Sequence, residues 1–232
     1  NNMQLNITDK LYHVFCLCRT AAIVLLFSMQ GFAQQIFSPG EVVTELTVNP
    51  VLIKKYHERK EKKMIPLSSA ADTIDIPFLD DFSQESIYPN PSWWIDRQVF
   101  INRDYPITPV TIGVATFDGV GESGAPDFSV TNSSVSNPSD TLTSKPINLN
   151  VAVSDSVYFS FFWQAKGRGN DPENSDTLLL QFKNPATGLW KTMWYKNGYN
   201  PAPADTIFRL VMIPVADASY LKSGFQFRFI NY

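Results

Sequence analysis

Residues 155–182 read DSVYFSFFWQAKGRGNDPENSDTLLLQF, and this stretch decides the fold class. Six of the nine residues from Val157 to Ala165 are aromatic or β-branched, types that suit a pleated, half-buried surface better than a helix. The Gly/Asn/Asp/Pro-rich loop that follows supplies turn residues, and a second apolar run begins at Leu178. Two strands joined by a long polar loop are the expectation, within an all-β sandwich that works outside the cell.

Working outward, strand-like segments recur at short intervals near 73–79, 98–102, 110–117, 141–149, 155–165, 176–183, 189–196, 205–214 and 224–231. Turn signals separate them, among them Tyr88-Pro89-Asn90-Pro91, Gly119 to Pro126, Gly188 and Ser223-Gly224. No segment after Met64 carries a helical stripe, so two packed antiparallel sheets are predicted over 73–232. Alternation puts Phe225, Phe227 and Phe229 on one side and Gln226 and Arg228 on the other. By the same rule Phe208, Leu210 and Met212 are expected to face inward, opposite Arg209. Phe159, Phe161, Leu180, Phe225 and Phe227 are the predicted core.

The N-terminal part reads differently. Asn1 and Asn2 precede Met3, the expected start; Lys10 and Arg19 flank the apolar run Ala21–Phe27, and small residues follow at Gly31 and Ala33. This is the pattern of an export signal over 3–33, cut after Ala33, and its apolar run is too short to span a bilayer. Both cysteines, Cys16 and Cys18, lie inside it. The mature chain then has no disulfide and no thiol nucleophile, and its stability must come from burial in a core of about 200 residues. Residues 34–72 form a lead-in. Asn49-Pro50 is a helix start, with Asn as cap and Pro at the first helical position. Six basic residues follow between Lys54 and Lys63, interrupted by Glu58 and Glu61, and read as a solvated helix face before a linker. The formal charge of −3 gives no footprint for nucleic acid or anionic lipid.

Chemistry is sparse. His57 is the single histidine outside the signal, so no Ser-His-Asp or Cys-His site and no zinc site can be composed from the stretch 34–232. Carboxylates remain: Asp80 and Asp81 after the first strand, and Asp171, Glu173 and Asp176 in the long loop with Asn170 and Asn174. They read as solvated turn residues, as oxygen donors for a structural Ca²⁺, or as a glycosidase pair whose carboxyl separation no sequence supplies. Trp93 and Trp94 offer flat faces for a sugar ring or a partner protein, against the plainer reading of core filling. The recurring Asp-Thr/Ser-apolar triplets at 72, 140, 155, 176 and 205 read as turn chemistry at strand starts, and they also resemble acceptor triplets for O-glycosylation in exported proteins.

The segments FLDDFS (78–83), PSWWIDRQVFIN (91–102), IGVATFDG (112–119), VYFSFFWQAKGRGNDPENSDTLLLQF (157–182) and FQFRFINY (225–232) resemble jelly-roll domains of the MAM/laminin-G-like class. They are most similar to those of large exported surface proteins of Bacteroidetes, and the ending GFAQQ is similar to signals of that group. The resemblance implies a secreted or cell-surface location, association with type IX secretion, and further strands beyond Tyr232. The function expected is a non-catalytic adhesion or ligand-binding module for a glycan or an envelope protein. The alternatives are an accessory domain of a secreted hydrolase, or a structural spacer in an envelope or gliding-associated protein.

Overall fold

The computed structural model describes residues 48–61, 72–126, 138–169, 171–198 and 206–232. The expected export signal, most of the lead-in, the linker around Pro66, and Asn170 lie outside the described residues. One α-helix is present among them, α1 (Pro50–Glu61). Ten strands follow in order: β1 (Ile74–Asp75), β2 (Phe100–Asn102), β3 (Val114–Thr116), β4 (Thr141–Thr143), β5 (Ile147–Asn148), β6 (Tyr158–Trp163), β7 (Thr177–Lys183), β8 (Trp190–Asn197), β9 (Arg209–Pro214) and β10 (Ser223–Asn231).

A six-stranded sheet runs β1-β5-β10-β7-β8, with β4 also paired to β10; β2-β3 and β6-β9 form separate two-stranded ladders. The strands thus form three sheets where the sequence suggested two. Pairing is antiparallel except at β1, which runs parallel to β5. That exception arises where the lead-in joins the sheet: Ile74 N–H donates to the carbonyl of Pro146 at 2.8 Å.

The fold is β-sandwich-like, and aromatic rings fill its middle. Leu178, Leu180 and Phe182 of β7 and Phe225, Phe227 and Phe229 of β10 alternate onto the inner face of the large sheet. Phe159 and Phe161 of β6 cover them. The Phe159 ring lies 4.5 Å from Phe227 and 5.4 Å from Phe182, and Phe161 lies 4.9 Å from Phe229 and 5.2 Å from Trp194. Most of these contacts are edge-to-face, the geometry that the ring quadrupole favours. Leu180, Phe225 and Phe227 are buried as expected, while Phe159 and Phe161 are half-buried and packed on the same cluster.

Strand β9 corrects the expected phase. Its inward residues are Val211 and Ile213, and Leu210 and Met212 face out, Met212 at 57% exposure. The segment IFRLVMI is apolar in both phases, so its own alternation carries little information. Its partner decides: Phe161 pairs with Val211 and Phe159 with Ile213, and directly opposed residues share a face.

The helix begins as the sequence suggests. Asn49 Oδ1 accepts the N–H groups of Val51 and Leu52, which the first turn leaves without helical partners. Leu52 is fully buried against Phe100 and Val120, and Asn49 N–H donates to the carbonyl of Gly124. Gly124 has φ +75°, and a Cβ there would sit 2.6 Å from the Asn49 carbonyl oxygen, so only glycine fits this seat. The charge run is only partly a solvated face. Arg59 folds back over the Tyr88 ring at 4.8 Å and pairs with Glu122 at 3.1 Å.

Candidate functional site

The carboxylates singled out in the sequence form turns in the structure. Asp80 Oδ1 accepts Phe82 N–H at 2.8 Å, and its Oδ2 accepts the Trp94 indole N–H at 2.7 Å. Asp81 Oδ1 accepts Ser83 N–H, and the hydrogen bonds from Ser83 hold this carboxyl below the usual carboxylate range. Asp171 pairs with Lys166 in the long loop, and Asp176 Oδ2 accepts the backbone N–H of Glu173. Among the described residues no group of three or more His, Cys, Asp or Glu side chains is placed to hold a metal ion. In these turns Asp80, Asp81, Asp171 and Asp176 each direct carboxylate oxygens to protein donors.

Trp94 is 4% exposed. Its ring is enclosed by Phe78, Phe82 and Phe227, with Phe82 stacked on it. A ring so enclosed offers no face to a ligand, and the buried indole N–H is satisfied by Asp80, which explains why Asp stands at 80. Trp93 is half-buried and meets Phe78 edge-on at 5.3 Å. The Trp pair is a wall of the core.

The arrangement with chemical character lies on the opposite, outer face of the large sheet. Register places Thr143, Arg228, Gln181 and Thr192 in one row across β4, β10, β7 and β8, and Gln226, Lys183 and Trp190 in the next row. Two hydrogen-bond chains order these side chains. In the first, Arg228 Nε donates to Gln181 Oε1 at 2.9 Å, and Gln181 Nε2 donates to Thr192 Oγ1 at 3.2 Å. In the second, Lys183 Nζ donates to Gln226 Oε1 at 3.0 Å, and Gln226 Nε2 donates to the carbonyl of buried Ser144 at 2.8 Å. Both cations reach over the Trp190 ring, Arg228 Cζ at 4.2 Å and Lys183 Nζ at 5.7 Å from its centroid.

Asp96 borders the array. Burial pushes its carboxyl above the ordinary range, against hydrogen bonding to Thr143 and the charge of Arg228. Burial draws the Arg228 guanidinium down, while Tyr232 and Asp96 oppose that shift. Further along β8, Tyr195 is exposed on the same outer face, opposite Leu179. The bulge between Leu180 and Gln181 lets Thr192 and Tyr195, three positions apart, both face outward.

Sequence reasoning missed this array for a physical reason. Its members come from strands distant in sequence, and Trp190 and Trp194 look alike until the bulge sends them to opposite faces. The one available signal was the polar phase of GFQFRFIN, which places Gln226 and Arg228 together on the outer side. No family model, no curated protein and no solved structure matches this chain. No helix among the described residues is long and apolar enough to cross a membrane.

Proposed function

We propose that this chain is a non-catalytic ligand-binding or adhesion module of an exported surface protein. In this reading the β-sandwich-like body is a jelly roll of the MAM/laminin-G-like kind, and residues 3–33 direct its export. The partner is a glycan or an envelope protein, and the contact surface is the outer face of the six-stranded sheet around Trp190.

One observation carries the proposal. The side chains of Gln181, Lys183, Gln226 and Arg228 are held by one another before any ligand arrives, so binding costs little side-chain ordering. A face organised this way presents an aromatic edge and spare polar donors at fixed positions, the composition of a recognition surface. Binding of the full chain to immobilised glycans and envelope proteins, compared with Trp190→Ala, tests it. Loss of binding in the variant with an unchanged far-UV spectrum is expected. A variant that binds every partner as the parent does would overturn the assignment to this face.

A further inference from the structure

The outer-face array has a chemistry more specific than ligand binding in general, and the inference here rests on the binding reading just given. Arg228 spends only Nε on the protein: among the described residues its Nη1 and Nη2 donate to no protein acceptor, and they are not buried. The guanidinium is nonetheless fixed, pinned at Nε by Gln181 and from below by the Trp190 ring. A planar fork with two unspent, pre-aimed N–H groups matches a carboxylate, which accepts two parallel hydrogen bonds. Lys183 stands diagonally beside it, on β7, with one of its three donors used on Gln226. Two cations are thus presented side by side on a chain whose formal net charge is −3. With that balance the chain as a whole does not draw anions, so the pull on a carboxylate comes from the placement of these two cations, with Asp96 at their border.

The rest of the face says what kind of molecule bears the carboxylate. Trp190 and Tyr195 stand on β8, opposite Lys183 and Leu179; four residues of β7 separate those rows, or about 13 Å at the usual rise. Thr192 and Gln181 lie between them, offering hydroxyl and amide groups. A stiff chain of pyranose rings could lay an apolar ring face on exposed Tyr195, meet the edge of Trp190 beside the guanidinium, reach the polar groups with its hydroxyls, and deliver a carboxylate to Arg228. An acidic peptide would be expected instead to add along a sheet edge through its backbone, and this array is on the face. We infer that the Arg228–Lys183–Trp190 platform, continued to Tyr195, binds a uronic-acid polysaccharide through its carboxylates.

The test is affinity electrophoresis and titration calorimetry of the full chain with polygalacturonate, neutral dextran and poly-glutamate. Polygalacturonate should retard the protein while the other two do not, and the retardation should weaken with added salt. Arg228→Gln should weaken binding about tenfold or more, the scale set by one charge-assisted hydrogen bond. Lys183→Gln should weaken it less, and Arg103→Gln, remote from the face, should leave it unchanged. Melting curves establish that the variants are folded, and Lys183→Gln carries the test if Arg228→Gln fails to fold. Dextran binding that is lost in Trp190→Ala but kept in Arg228→Gln would overturn the acidic assignment and leave the binding-module reading standing. Equal binding of poly-glutamate would overturn the saccharide. Polygalacturonate binding that survives both Arg228→Gln and Lys183→Gln would overturn the site, and no binding to any probe would overturn the saccharide reading entirely.

Discussion

The two outer faces of this molecule invert the usual distribution of side chains. On the six-stranded sheet the outer face is polar and partly closed: Gln226 is 7% exposed, and Thr143, Ser144 and Lys145 are buried beside it. On the β6-β9 ribbon the outer face is apolar and open, with Tyr158, Phe162, Leu210 and Met212 all exposed. The difference comes from the side chains that each sheet turns outward. The 93–95 segment extends the sheet beyond β4 through an antiparallel bridge, with Ile95 N–H bonded to the Thr143 carbonyl and Lys145 N–H to that of Trp93. The polar groups there pair with one another, Lys183 with Gln226 and Gln226 with the Ser144 carbonyl. On the ribbon the outward apolar side chains stay in contact with water. Its apolar side chains are consequently worth little to stability, and buried glutamine on the other sheet is worth more than exposed methionine.

Substitutions can break this comparison. Phe227 lies between the two sheets and touches Phe78, Trp94 and Phe159. Phe227→Ala should cost about 3–5 kcal/mol in urea unfolding, and a loss under about 1 kcal/mol would mean that the sheets do not share a packed core. Gln226→Ala comes next. It leaves the buried Ser144 carbonyl and the Lys183 ammonium without a shared partner, for about 2 kcal/mol. Met212→Ser, on the open face, should stay within about 0.5 kcal/mol. If Met212→Ser proved costlier than Gln226→Ala, the ribbon's outer face would have to be covered in solution.

The smallest expected effect is a dependence on pH. Asp96 has its carboxyl raised by burial, so the folded protein holds a proton there that the unfolded chain has already released. Between the ordinary carboxylate range and the raised folded value the native state binds more protons, and stability falls as pH rises through that window. Asp96→Asn should remove this contribution, flattening thermal stability across mildly acidic pH. A slope that persists unchanged in the variant would assign it to another carboxyl, of which Asp118, also raised by burial, is the first to examine.

Much of the architecture was legible in the linear order of residues. Every described strand falls within or beside a predicted segment, because turn residues and β-type runs act locally. The Asn49-Pro50 helix start was legible for the same reason: cap and first turn are a few residues apart. Strand 110–117 was overextended. Val110 and Ile112 are exposed, and only Val114–Thr116 pairs, since β2 offers three residues to bond.

The candidate site was scarcely legible. Asp80 and Asp81 looked like metal donors because a carboxylate's partners cannot be read from its neighbours in sequence. The structure gives Asp80 to an indole fourteen residues away. Asp140 shows the same limit more sharply. It reads as a turn residue, yet it is fully buried and accepts the N–H groups of Gly119 and Gly121.

By itself, then, the order of residues determined the β-rich character, the strand positions, the inner phase of β10 and the capped helix. These follow from backbone preference and period-two alternation, which operate over a few residues. Tertiary structure alone decided the inward phase of β9, the enclosure of Trp94 and the meeting of Arg228, Gln181, Lys183 and Trp190. In each case both phases or several partners were locally acceptable. The choice was made by cross-strand register, which joins residues that only the folded chain brings side by side.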